Sequence, residues 1–316
     1  MNNLKEKILF KEIGEEWLYL KKISVKYSTY TKYEGILTIH IMPTFGKLSV
    51  EDITEDLIME YFHEHINNDS LSISMLATIR YILKSILEHA QVKYGITSAN
   101  FKYIKLRKPR TNVTALTTQQ QSSLEEYCFN HYDSISLAVL LSLYGGFRVG
   151  EVAGLRWDDI KIKTGIVEVK RTIERLKSSQ LGDNKTELMI LDPKTKTSKR
   201  FVPLPDFILD YIKQYYETKE LKDLDNYIYT GSNKIPDPRR IQAHFHRLCK
   251  KCGFITNYHT LRHTYATNCV KNDIDVKSLS EMLGHSNVAI TLELYVHTTL
   301  EFKIDQVNKL KKSKQA

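Results

Sequence analysis

The feature that most limits what this chain can fold into is a change of period partway along it. Apolar residues recur at helical spacing to about residue 155, then alternate or run with β-branched residues between Gly165 and Leu204, and helical spacing returns afterwards. Segments 165–173, 188–191 and 200–204 read as strands of one small sheet, with a polar excursion over 174–185. The expected fold is therefore mainly α with a small antiparallel β-sheet.

The first hundred residues read as helices over about 5–22, 28–41, 54–66 and 72–94, separated by the breakers Pro43, Gly46 and Asn67-Asn68. Met75, Ile79, Ile82, Leu83 and Ile86 form a core stripe on the last of them. Residues 102–110 (KYIKLRKPR) carry five cations in nine positions, and Pro109 lacks an amide proton and biases Lys108 away from helix. This stretch reads as a linker. The expected division is a helical domain over 1–105, a basic linker over 106–114 and a mixed α/β domain over 115–316. In the second domain helices are expected at 117–130, 134–143 and 149–155, with a turn at Gly145-Gly146. Helices resume from Pro205 to the end, broken near Gly231, Gly253 and Gly284.

With 316 residues, 42% of them apolar, the chain can bury two ordinary cores. The longest apolar stretch, 136–147, is too short to span a bilayer, and the N-terminus is charged where a signal peptide needs an apolar core. A cytoplasmic protein is expected. Lysine and arginine outnumber aspartate and glutamate by 46 to 37, which suits a polyanionic partner and equally a merely soluble surface. Cys128, Cys249, Cys252 and Cys269 are too few and scattered for a disulfide framework, so reduced thiols are expected.

Five segments concentrate the residue types that do chemistry: GGFRVGE (145–151), PKTKTSKRFVPL (193–204), HTLRHTYAT (259–267), LGHSN (283–287) and ITLELYVH (290–297). His259 and Arg262 stand three apart on an expected helix and so share a face. A second constellation competes for the same residues: Cys249, Cys252, His259 and His263 are zinc-ligand types, but only six residues separate the pairs, where a zinc finger has about 12 to 15. Zinc is not expected, and binding it would withdraw His259 from any other role.

In order and spacing the five segments resemble the catalytic half of the tyrosine recombinase family, which includes phage integrases and chromosome-dimer resolvases. The resemblance covers roughly 115–298 at motif level and, more weakly, the helical N-terminal part, where a core-binding, SAM-like DNA-binding domain would lie. It implies that Tyr295 is a nucleophile attacking a phosphodiester, and that Arg148 and Arg262 bind the phosphate through planar forks. It implies further that His259 assists proton movement at the tyrosine hydroxyl and that His285 hydrogen-bonds a phosphate oxygen. Lys194 is the candidate general acid for the departing 5′-oxygen, with Lys196 and Lys199 as rivals in the hairpin that 200–204 closes. Glu151 would orient its neighbours. A phenol of pKa near ~10 needs a base and nearby positive charge, which His259 and the two arginines would supply.

The function so implied is cleavage and rejoining of DNA strands through a covalent 3′-phosphotyrosine link, for integration or excision of a mobile element. No cofactor, divalent metal or ATP is expected, because the bond energy stays in the phosphotyrosine. The implied partners are double-stranded DNA at a specific site, three further copies of the chain in a tetramer on synapsed DNA, and an accessory directionality factor; no membrane is involved. The two domains would close as a clamp around duplex DNA. Leu300, Ile304, Val307 and Leu310 form a C-terminal apolar stripe that either folds back or docks on a neighbouring protomer. Helix-forming sequence begins almost at Met1, so no arm-binding domain is expected ahead of it. A Xer-like resolvase, a type IB topoisomerase and a catalytically inactive DNA-binding protein are the alternatives.

Overall fold

A computed structural model of the chain describes residues 7–97, 99–106, 114–178, 186–192, 199–218, 223–295, 304, 307 and 308, with only the backbone at 293–295. Two compact units divide it, Met1–Thr111 and Asn112–Ala316.

The first unit is helical: α1 (Phe10–Ser24), α2 (Tyr27–Ile36), α3 (Met42–Phe45), α4 (Glu55–Asn67) and α5 (Ile73–Tyr94). Thr54 and Ser72 cap α4 and α5 by accepting the amides of Leu57 and Met75, which sets where each helix starts. The α5 stripe is buried as its period requires, Ile79, Ile82, Leu83 and Ile86 being inaccessible, and it meets Phe10, Ile13 and Trp17 of α1 in one core. Pro43 does not break the chain as expected. A π-helical turn over Leu37–Ile41 leads into α3, with the Met42 amide bonding the Leu37 carbonyl, so proline falls in a first turn where its missing proton costs no bond. The basic stretch at 102–110 is likewise not all linker. Phe101 and Ile104 are buried in the N-terminal core, Leu106 packs on it, and Arg80 Nη2 holds the Phe101 carbonyl at 3.0 Å. Residues 107–113 lie outside the described residues.

The second unit opens with α6 (Thr118–Asn130), α7 (Ser134–Gly145) and α8 (Val149–Gly154). Helix α7 is apolar all round and buried, with α6, α8, α9 (Asp206–Thr218), α10 (Pro238–Lys251) and α11 (His259–Lys271) packed around it. The strands are β1 (Ile160–Lys161), β2 (Ile166–Val169), β3 (Thr172–Lys177), β4 (Thr186–Leu191) and β5 (Arg200–Pro203). They form two sheets where one was expected: β1-β2-β5 and the hairpin β3-β4, both antiparallel. The stretch 165–173 is divided between them because Lys170 and Arg171 both turn onto buried Asp159, at 3.0 and 2.6 Å, and Arg171 also donates to the Gly154 carbonyl. Residues 174–177, expected in the polar excursion, complete β3. Since β4 pairs with β3 and β5 with β2, these two strands do not form the expected hairpin with each other; residues 193–198 between them lie outside the described residues.

Two further helices follow, α12 (Val276–Leu283) and α13 (Val288–Tyr295). Of the C-terminal stripe, Ile304 and Val307 are exposed; Leu300 and Leu310 lie outside the described residues.

The turn after α7 depends on Gly146, whose φ of +66° is left-handed and whose missing Cβ would stand 2.5 Å from the ring of Tyr265. Gly146→Ala is expected to destabilise the second unit by about 2 kcal/mol or more, since strain and overpacking add. A lowered urea midpoint for that unit's transition checks this; an unchanged midpoint contradicts it.

Candidate active site

Helix α12 ends at Gly284, left-handed at φ +66°; the Gly284 and His285 amides close onto the Glu281 and Ser280 carbonyls, which leaves those of Met282 and Leu283 for side-chain donors. Three arginines supply donors. Arg262 Nη2 lies 2.6 Å from the Leu283 oxygen, Arg148 Nη1 reaches the same oxygen at 3.5 Å, and Arg200 Nε takes the Met282 oxygen at 2.5 Å. Cations at a helix C-terminus also meet the negative end of its dipole.

Each arginine is delivered by a local feature. Arg148 is the N-cap of α8, and its amide donates to Glu151 Oε2 at 2.9 Å while its Nη1 donates to Oε1 at 2.8 Å. Arg262 lies on the first turn of α11, whose start is fixed by buried Tyr258, hydrogen-bonded to the Ala138 carbonyl and Ser142 hydroxyl of α7. Arg200 opens β5 in the inward phase with Val202 and holds both oxygens of Glu151 at 3.0 Å. Burial alone would raise the Glu151 pKa, but Arg200, Arg148 and Arg262 together hold it at about 2.

Arg148, His259 and His285 line a cleft of about 620 Å3 with Glu174, Arg175, Arg239 and Gln242. Strand β3 can form its wall because Gly150 has no Cβ, which would stand 2.6 Å from Thr172 Oγ1. His285 follows Gly284, and its Nδ1 is 2.8 Å from Thr291 Oγ1, so the loop is tied to α13. Desolvation, then the charges of Arg262, Arg148 and Arg200, push His285 down to about 4. His259 is open to the cleft on one side and packed edge-on against His263, ring centres 4.5 Å apart. Surrounding protein, then His263, Arg262 and Arg148, lower it also to about 4. Both imidazoles are neutral at pH 7.

Four of the six residues singled out in the sequence are thus neighbours: Arg148, His259, Arg262 and His285. Arg262 differs from expectation in being 1% exposed, with Nη1 on the Gly146 carbonyl at 2.8 Å and Nη2 on Leu283, so its charge lies beneath the cleft floor. Tyr295 is the last residue of α13, four positions after Thr291. Its side chain lies outside the described residues, as do Lys194 and Lys196. Lys199 is described, with Nζ 3.3 Å from Asp192 Oδ1. Cys249 packs in the core, its thiol pushed up to about 12 mainly by burial, and Cys252 Sγ sits 3.7 Å from the Ser123 carbonyl. Among the described residues no cluster of three or more ligand types is arranged for a metal ion. The sequence reading overlooked Arg200 and the cleft cations Arg175 and Arg239. An arginine at the inward phase of RFVPL was the available signal for Arg200; none marked the other two.

The fold is that of integrases solved on DNA. The Tn1549 transposon integrase in complex with transposon right-end DNA superposes with a TM-score of 0.78 at 19% identity, covering 96% of this chain and 99% of that one. A lambda integrase tetramer bound to a Holliday junction gives 0.65 at 16% identity, over 92% and 78%. Residues 114–301 match the profile of the phage integrase family, and residues 9–66 match the phage integrase N-terminal SAM-like domain. The chain belongs to the phage integrase family of tyrosine recombinases. It is 26% identical to the tyrosine recombinase XerC-like protein of Caldanaerobacter subterraneus subsp. tengcongensis, over 95% of this chain and 82% of that relative. Identity to the transposase from transposon Tn916 of Enterococcus faecalis is 24%, over 64% of this chain and 52% of that relative.

The depressed histidines predict a pH response. A folded-state pKa near 4 against an ordinary 6.5 means the unfolded chain binds more protons in that interval, so stability falls as pH drops from about 6.5 to about 4. Glu151, also depressed, extends the loss toward pH 2. Melting temperature against pH should show this slope, and His285→Asn should flatten its upper part; an unaltered slope in that variant contradicts the assignment.

Proposed function

We propose that the chain is a site-specific DNA recombinase of a mobile element, cutting and rejoining strands through a 3′-phosphotyrosine at Tyr295. The observation that carries this is the convergence of Arg148, His259 and His285 on one cleft, with the helix leading to Tyr295 tied to His285. The transposon relatives point the same way as to biological setting.

In this mechanism a scissile phosphate enters the cleft and one non-bridging oxygen meets Arg148, with Arg262 supplying charge from below. His285, accepting from Thr291 at Nδ1, presents Nε2–H to a phosphate oxygen. Tyr295 attacks phosphorus in line: the tyrosine O–P bond forms, its proton passes to neutral His259, and the bond to the 5′-oxygen breaks. A lysine, Lys194 in our assignment, protonates that oxygen. The 5′-hydroxyl of a partner strand then attacks phosphorus, its proton passing to the lysine left neutral, and the bond to Tyr295 breaks as protonated His259 returns a proton to the tyrosine oxygen. No step calls for a metal ion or nucleotide, and exchange between duplexes needs four protomers, the arrangement in which lambda integrase was solved on a Holliday junction.

Two experiments test this. Incubation with DNA from the ends of the host element in chelator, followed by denaturation, should trap covalent adducts with wild type and none with Tyr295→Phe, which should still bind. Adducts persisting in Tyr295→Phe contradict the nucleophile. The general acid is identified with a 5′-bridging phosphorothiolate, whose sulfur leaves without protonation. Substituting the correct lysine by alanine should slow cleavage of ordinary DNA by roughly 100-fold or more and leave thiolate cleavage near wild type. If Lys194→Ala is equally slow on both substrates, Lys194 is not the acid.

A further inference from the structure

Arg200 has no part in the chemistry above, yet its side chain is among the most enclosed charges near the cleft, 5% exposed and facing an equally enclosed Glu151. The two form a paired fork, both Glu151 oxygens at 3.0 Å. Arg148 shares the same carboxylate through Nη1 and is far more open, its side chain 38% exposed. One buried anion is thus held between an inner and an outer cation. A buried carboxylate that loses one partner is strongly destabilised and draws on whatever cation remains within reach. Of the two cations left near Glu151, Arg262 is held by the Gly146 and Leu283 carbonyls, and Arg148, already bonded to the carboxylate and more open, is the one able to turn. Two-pronged pairing is stronger than single contact, so Arg148 would turn its fork onto Glu151 and away from the cleft.

We propose that Arg200 is a positioning residue for strand cleavage: by occupying Glu151 it keeps the Arg148 guanidinium facing the phosphate. The claim rests on the reading that Arg148 meets a phosphate. Arg200 does not touch DNA; it acts through Glu151, while its Nε on the Met282 carbonyl orders the end of α12 just before His285.

The test compares wild type, Arg200→Met, Arg200→Lys and the double variant Glu151→Gln/Arg200→Met in single-turnover cleavage, DNA affinity and melting temperature. Arg200→Met should bind DNA within about 3-fold of wild type and cleave about 100-fold slower, a loss in the range of one misdirected electrostatic donor. The double variant, with no buried carboxylate left to recruit Arg148, should recover to within about 10-fold of wild type. A double variant as slow as Arg200→Met overturns the proposal, as does cleavage that merely follows melting temperature across the set. Crystal structures supply a readout independent of activity: in Arg200→Met, Arg148 should hold Glu151 with two nitrogens, and an unmoved Arg148 overturns the claim. If Arg200→Met does not fold, Arg200→Lys, which keeps the charge but not the fork, serves for the same comparison. If wild type itself yields no adduct, the recombinase reading fails, while the position of Arg148 in the two crystals still decides the role of Arg200.

Discussion

The site depends on how a helix is brought to an end. Helix α12 stops at a left-handed glycine, and the carbonyls of Met282 and Leu283 then project without partners of their own. Such groups must be satisfied, and in this chain guanidiniums from α8, α11 and β5 do it, while buried Glu151 balances part of their charge. Three like charges would repel one another out of the interior without that set of oxygens. Because the oxygens belong to main chain and to one rigidly held carboxylate, the cations are placed before any ligand arrives, which is the condition for electrostatic stabilisation without reorganisation.

The same arrangement governs the histidines. His285 is the residue after the capping glycine, so the bonds that hold the arginines also hold its backbone, and its ring contact with Thr291 passes that order to α13. Burial first, and then the charges around them, His263 beside His259 and the arginines near both, keep His259 and His285 neutral near pH 7. A neutral imidazole can accept a proton or donate one through a defined nitrogen, whereas two further cations would only add repulsion to an already positive floor. An incoming anion would offset the arginine charges and ease protonation of both rings, and in the proposed mechanism this would couple substrate entry to proton transfer.

At 19% identity the transposon integrase fold is retained over nearly the whole chain. In this chain that fold rests on pattern: a buried all-apolar α7, short strands with one inward face, and glycines where the backbone turns left-handed or approaches another strand. Gly150 and Gly284 line the cleft, and the Gly146 carbonyl holds Arg262, so backbone with no side chain in the way does much to place the site.

Local physics made much of this legible in the chain itself. Helical period revealed α5, the breakers bounded its neighbours, and the motif order pointed to Arg148, His259, Arg262 and His285, whose sequence neighbourhoods each contain the turn or helix start that presents them. Tyr295 and Lys194 were named on the same basis, but their side chains lie outside the described residues. Where sequence reasoning failed, the deciding contact was remote. The strand at 165–173 is split by Asp159; Pro43 is accommodated by a π-helical turn upstream; Ile104 of the basic stretch is buried by the N-terminal core; Arg200 looked like a strand residue until Glu151, 49 positions earlier, was seen to face it. Periodicity and caps are properties of a few consecutive residues and can be read from them. The pairing of a buried charge, the sheet a strand joins and the depth at which Arg262 sits depend on residues far apart in the chain, and only the tertiary structure, which must satisfy every buried polar group at once, decides them.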